Sequence, residues 1–311
     1  MASTKPETKD IGFGSKTSSQ KSRLINHDGS FNVYRIGQSY VKSTSIYHAL
    51  ITMKWFGFYS IITSYFIIIN LLFATLYYVT GIDGLRGVEG DSDFDKFWEA
   101  FFFSTQTIST VGFGRLSPGS HVASAIAAFE SLLGLLGFAV VTGLIYGRFA
   151  RPKARIMFSE KAILAPFKDK TAFQFRIANR MRNSQITDIE ARITVAKFEL
   201  ENGVLIRRFR PMELEIKRIM FFPMTWTINH PIDENSPLYG MTLNDLKKAE
   251  AEFMILLNGF DDTFSQNVSA RYSYVSDELA EGVKFISVFG ENDKGQITQD
   301  LSKLSAFEIV K

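Results

Sequence analysis

The chain has no cysteine in its 311 residues, so disulfides, thiolate metal sites and cysteine nucleophiles are all excluded. Histidine is scarce as well. The four present, His27, His48, His121 and His230, show no metal-ligand spacing and read as surface or hydrogen-bonded structural groups. There is no Ser-His-Asp arrangement, no pair of carboxylates and no phosphate loop, so nothing makes a case for an enzyme or for an organic cofactor. Charge of one sign is not in large excess either: a net charge of +3, with no basic stripe interleaved with aromatics, argues against nucleic-acid binding. The first thirty residues lack the apolar core of a cleaved signal peptide; rich in Ser, Thr, Lys and Gly, they read as a mobile tail. No long internal repeat is visible.

What the chain does have is an uneven distribution of apolar residues. They make up 46% of the whole but crowd between Trp55 and Gly147. No charge occurs from residue 55 to residue 82, and only Glu130 interrupts the run from 122 to 147. Either run can cross a hydrocarbon layer of about 30 Å as a helix of roughly 20 residues. Between them, residues 97–110 (FWEAFFFSTQTIST) are too short to span and suit a re-entrant helix. Its non-helical end is tolerable at membrane depth only where protein shelters it or where it lines a water-filled path.

Lys42 and Lys54 precede the first span, and Arg148, Arg151, Lys153 and Arg155 follow the second, which predicts an inner-membrane protein with both ends cytoplasmic. The loop between the spans carries Asp83, Glu89, Asp91, Asp93 and Asp95 against Arg86 and Lys96, an acidity that suits an outer vestibule attracting cations. Ile46, Leu50 and Met53 recur at helical spacing beside Lys42 and Lys54. That pattern predicts an interfacial helix over 41–55, the alternative being the frayed start of the first span. Beyond Arg155 the period changes to two. Residues 171–177, 190–200, 205–216, 224–230, 252–258 and 283–289 favour β-branched and aromatic side chains, which predicts an all-β sandwich. One short helix is expected over 243–249, capped by Thr242 with Asp245 three residues on.

The decisive motif is Thr110-Val111-Gly112-Phe113-Gly114, directly after the re-entrant segment. TVGYG loops in potassium channels replace an ion's hydration shell with backbone carbonyls, and here only Phe113 departs from that pattern. The carbonyls of residues 110–113 and the Thr110 hydroxyl are expected to bind K⁺. One loop cannot close a ring, so the motif implies a homotetramer. Gly112 and Gly114 are needed where the backbone enters regions that a Cβ obstructs. Gly12-Phe13-Gly14, in a polar tail with no helix before it, shows that GFG alone means little.

From about Asp28 to the C-terminus the chain resembles the prokaryotic inward-rectifier potassium channels. The resemblance rests on residues 28–37 (DGSFNVYRIG), the filter, 147–167 (GRFARPKARIMFSEKAILAPF) and 230–240 (HPIDENSPLYG). It implies a tetrameric pore of two transmembrane helices and a pore helix, followed by immunoglobulin-like cytoplasmic domains. The chain then divides into 1–40 (tail and strand), 41–55 (slide helix), 56–150 (pore domain) and 151–311 (cytoplasmic β domain). Within the pore domain the first span is expected at about 56–80, the pore helix at 96–109, the filter at 110–114 and the second span at 121–148.

The resemblance also assigns roles. Phe138, Thr142 and Tyr146 share a helix face that lines the cavity, with Tyr146 as the gate or, alternatively, as an interfacial anchor. Gly134 is a hinge or a packing glycine, and Gly137, Gly143 and Gly147 equally suit close helix packing. Glu130 is expected to support the filter, with Arg115 or a Ser/Thr hydroxyl as partner. Gln106 replaces a family Glu that pairs with an Arg beyond the filter, so that ion pair is expected to be lost. Phe138 stands where strong rectifiers carry an acid, which implies weak rectification. Lys54, Arg148, Arg151, Lys153 and Arg155 are expected to bind anionic lipid, including phosphoinositide head groups. Two other readings remain at this point: a poorly selective cation channel, and a membrane-anchored β-sandwich sensor.

Overall fold

A computed structural model describes residues 23–34, 36, 45–150, 154–181, 185–201 and 203–310. Its chain forms two compact units, residues 36–151 and residues 1–35 with 152–311.

In the first unit, helix α1 (Ile46–Thr52) begins where the Ser45 hydroxyl accepts the His48 N–H, and ends at extended backbone on Met53. It is shorter than the 41–55 expected, and 41–44, with Lys42, lie outside the described residues. Its buried residue is Ile51, which the expected Ile46/Leu50/Met53 stripe does not include. Helix α2 (Trp55–Gly81) buries Asn70, Phe73, Ala74 and Tyr77, the i, i+3, i+4, i+7 spacing of one helix face. After strand β1 (Leu85–Arg86) comes helix α3 (Asp93–Ile108). The Ser92 hydroxyl accepts the Asp95 N–H at 3.1 Å, and Asp93 and Asp95 suit the positive end of the helix dipole. These two acids therefore belong to the first turn of the pore helix rather than to the loop. Strand β2 (Ser117–Pro118) pairs with β1, and the Ser120-capped helix α4 (His121–Phe149) follows.

Helices α2 and α4, with 27 and 29 residues, are each roughly 40 Å long at 1.5 Å per residue, enough to span a bilayer. Only 17% of the most apolar window of each is buried within the chain. The apolar remainder needs lipid or further protein against it. Where the helices do meet, Phe73, Ala74 and Tyr77 of α2 pack with Ala100 and Phe103 of α3 and Ala123 of α4.

The second unit is a sandwich of two five-stranded sheets. Its elements in order are β3 (Ile156–Phe158), β4 (Ala162–Phe167), β5 (Lys170–Asn179), β6 (Ile186–Glu201), β7 (Val204–Met212), β8 (Arg218–Phe221), β9 (Trp226–Ile232), α5 (Leu243–Lys248), β10 (Glu252–Asp261), β11 (Gln266–Val275) and β12 (Leu279–Glu281). One sheet runs β12-β4-β5-β3 with β9 on β5; the other runs β11-β10-β6-β7 with β8 on β6. Phe173, Phe175 and Ile177, alternate residues of β5, enter the core between them, and Phe173 stacks on Phe253 of β10 at 4.4 Å between ring centroids. Two small two-stranded sheets complete the unit: β13 (Val283–Phe285) with β16 (Phe307–Ile309), and β14 (Phe289–Glu291) with β15 (Ile297–Gln299). The expected strand 205–216 thus stops at Met212, and the expected 283–289 is two strands in different sheets.

The expectation of a mobile tail fails for its last residues, while residues 1–22 lie outside the described ones. Leu24 and Ile25 are buried against Ala196, Phe209 and Met254. Both donate backbone N–H groups to the Glu252 carboxylate, which also accepts from Arg207 at 2.8 Å. The chain reverses at Asp28-Gly29-Ser30, and Ile25 and Phe31 form a bridge.

His230 of β9 is buried, with Nδ1 2.5 Å from the Glu213 carbonyl and Nε2 2.7 Å from the Ser236 hydroxyl. The neutral ring fits by donating from Nδ1 and accepting at Nε2, and burial pushes its pKa below the ordinary 6.5. The unfolded chain therefore takes up a proton on His230 before the folded one does. Stability is lost as pH falls from about 6.5 through the folded value. A His230→Gln variant should show a shallower acid limb in thermal unfolding; an unchanged limb would assign that loss to other groups.

Candidate permeation site

The site is built where α3 stops. Its last turn tightens, with Thr110 N–H donating to the Thr107 carbonyl at 3.1 Å and Val111 N–H to the Gln106 carbonyl at 2.9 Å. Backbone handedness then alternates: Thr110, Gly112 and Gly114 have φ of 58°, 56° and 89°, whereas Val111 and Phe113 do not enter that region. Reversal at every second residue is what a run of carbonyls aimed to one side requires. Glycine adopts it freely, and Thr110 does so at a cost on the order of 1–2 kcal/mol. Thr110 is the position where sequence reasoning anticipated no such strain. A Cβ at Gly112 or Gly114 would meet nothing within 4 Å, so this face of the loop is open within the single chain.

Behind the loop, four buried polar side chains from all three long helices converge. The Tyr77 hydroxyl of α2 donates to Glu130 Oε2 of α4 at 2.7 Å, and the Ser104 hydroxyl of α3 lies between Glu130 Oε1 and Asn70 Oδ1 of α2, 2.9 Å from the latter. Glu130 thus meets a Ser hydroxyl, and not Arg115. Sequence reasoning missed Asn70, Tyr77 and Ser104. The available signal was a lone amide in an uncharged span, two turns before a tyrosine.

Arg115 instead donates to Glu99 at 2.5 Å and to the Gly87 carbonyl at 3.0 Å. The ion pair expected to be missing at Gln106 is therefore supplied from Glu99, the one charge in residues 97–110, two turns earlier on the pore helix. Gln106 contributes its backbone carbonyl to the Val111 bond. Gly134 of α4 is buried against the end of α3: a Cβ there would stand 2.1 Å from the Ile108 carbonyl oxygen. Gly147 lies close to Tyr47, while Gly143 has nothing within 4 Å.

Farther along α4, Phe138, Thr142 and Tyr146 stand four residues apart and are all exposed within the single chain. A cavity of about 510 Å³ reaches from Thr110 past Gly134 to Phe138 and is also lined by Tyr65 and Phe66 of α2.

The basic residues divide. Arg148 is partly buried; it donates to the Leu50 and Met53 carbonyls at 2.5 and 2.7 Å and lies over the rings of Trp55 and Phe58. It thus caps the C-terminus of α1 rather than standing free for a head group. Lys54, at the start of α2, and Arg155 are exposed. Arg151 and Lys153 lie outside the described residues.

Two spanning helices, a pore helix between them and a loop of alternating handedness define an ion-channel subunit. Residues 65–151 match the family described as Ion channel, and residues 156–311 match the Inward rectifier potassium channel C-terminal domain. The chain is 37% identical to inward rectifier potassium channel Kirbac3.1 of Paramagnetospirillum magnetotacticum, covering 93% of this chain and 97% of that protein. It is 26% identical to inward rectifier potassium channel irk-1 of Caenorhabditis elegans (91% of this chain, 56% of the relative). Identity to ATP-sensitive inward rectifier potassium channel 8 of Rattus norvegicus is 28% (83% and 66%). The protein belongs to the prokaryotic branch of the inward-rectifier potassium channel family. It is a membrane protein, not an enzyme, that conducts K⁺ selectively, and its β unit is the family's C-terminal domain.

Proposed function

We propose that four copies of the chain surround one axis and that the carbonyls of residues 110–113, with the Thr110 hydroxyl, replace the water around each K⁺ ion. The observation that carries this reading is the alternating backbone of residues 110–114 at the end of α3. Phe113 lacks the hydroxyl a tyrosine would use as a tether, but it removes no carbonyl, so selectivity is retained. Glu130 and the Arg115–Glu99 pair brace the loop from two sides. Both termini are cytoplasmic, as the basic flanks direct.

The gate is at Tyr146. Four aromatic rings at the inner end of α4 close the path by dewetting. Tyr146→Ala should raise rubidium leak through closed channels several-fold; equal leak in the variant and the parent would leave Tyr146 as an interfacial anchor. Phe138 offers no charge to a blocking polyamine or magnesium ion, so rectification is weak. Lys54, Arg151, Lys153 and Arg155 attract anionic lipid, phosphoinositides included, at on the order of 1 kcal/mol per charge near the surface.

The test is rubidium uptake into potassium-loaded liposomes containing the purified channel, with sodium and barium challenges and Gly112→Ala as control. Selective, barium-blocked uptake that the variant loses is the expected result. Equal sodium and potassium flux would make the pore non-selective, and no flux in any lipid would favour a sensor.

A further inference from the structure

The buried cluster behind the filter is one proton short. Its acceptors are Asn70 Oδ1 and both Glu130 oxygens; its donors are the Tyr77 and Ser104 hydroxyls, one proton each. Turning the Asn70 amide does not help, because it would set Oδ1 against the Phe66 carbonyl oxygen to which Nδ2 donates at 2.6 Å. Tyr77 serves Glu130 Oε2. That leaves Ser104, with one hydrogen, facing both Asn70 Oδ1 and Glu130 Oε1.

No cation makes up the difference. Glu130 is fully buried, and among the described residues no ion pair reaches it. Arg115 is engaged by Glu99 and Gly87, and the packed faces of α2 and α3 offer only the hydroxyls and amide already named. A bare carboxylate buried without a counter-charge is strongly disfavoured, and so is a carbonyl with no donor.

We propose that Glu130 is a neutral carboxylic acid that works as a positioning residue for the filter. With the extra hydrogen on Oε1, Glu130 donates to Ser104 Oγ, Ser104 donates to Asn70 Oδ1, and Tyr77 donates to Oε2. Every polar atom is then served, and α2, α3 and α4 are joined by one unbroken chain of hydrogen bonds. Ser104 lies one turn before Ile108, so the chain of hydrogen bonds ends one turn from the last residue of α3, which leads into the loop of residues 110–114. That it matters for conduction rests on the reading of this loop as the filter.

The experiment is infrared difference spectroscopy on the full channel in liposomes, Glu130→Gln against the parent, with rubidium uptake measured on the same samples. The expected result is a protonated-carboxyl carbonyl band, sensitive to deuterium exchange, that Glu130→Gln removes and Tyr77→Phe moves to higher frequency. Glu130→Gln should hold uptake within about twofold, because its amide donates to Ser104 and accepts from Tyr77, whereas Glu130→Ala should lose on the order of tenfold or more. A difference confined to carboxylate bands, or equal losses in the Gln and Ala variants, would overturn the proposal. If Glu130→Gln does not assemble, the Tyr77→Phe shift alone decides, and an unmoved band counts against it. A parent that shows the band yet passes no rubidium would sink the filter reading and leave the protonation state standing.

Discussion

Gly134→Ala should reduce potassium flux by tenfold or more, on the order of the 1–3 kcal/mol that overpacking a close contact costs. The added methyl would be placed 2.1 Å from the Ile108 carbonyl oxygen and 2.9 Å from its carbon. Both are backbone atoms of the last residue of α3, so no rotamer change can relieve the clash. Either α4 moves outward or the end of the pore helix moves, taking Ser109 and Thr110 with it. Gly143→Ala is the matched control, since its methyl meets nothing within 4 Å of its own chain. Rubidium uptake and sodium permeability measured on both variants separate two roles. A hinge would change only the open fraction, whereas a packing contact behind the filter would also erode selectivity. Wild-type conduction in Gly134→Ala would mean that neither role is needed.

Glu252→Ala should destabilise the β unit by about 3–5 kcal/mol, the usual cost of removing one partner of a buried ion pair. The side chains of Glu252 and Arg207 are 1% and 6% exposed and meet at 2.8 Å. The same carboxylate holds the N–H groups of Leu24 and Ile25. Its loss leaves Arg207 without this counter-charge and releases the N-terminal segment in one step. In thermal unfolding of the detergent-solubilised channel the shift should be roughly 6–20 °C, at about 2–4 °C per kcal/mol for a unit of this size. Proteolysis near Arg23 should accelerate in parallel. A shift of a degree or two would show that the pair is replaceable by water.

The membrane helices, the irregular loop of residues 110–114 and the β-sandwich were legible because each is written in one short-range signal: an uncharged run, a five-residue motif, a period of two. The connections were not. Glu99 and Arg115 are sixteen residues apart, and nothing local says that a loop arginine returns to the second turn of the pore helix. Asn70, Ser104 and Glu130 lie on three helices, so their meeting depends on tertiary packing that periodicity does not encode. Leu24 and Ile25 sit at the end of a polar stretch, and their docking depends on a carboxylate more than two hundred residues away. Strand β4 (AILAPF) carries no alternation because its first four residues are all buried.

Arg148 ties two helices of the first unit to each other. Its guanidinium grips the last carbonyls of α1, yet its backbone belongs to α4, two residues beyond Tyr146. While those two bonds hold, the short helix α1 cannot slide or tilt without pulling on the C-terminal end of α4. A force applied to either one is felt by the other, through a single side chain and with no need for a longer relay.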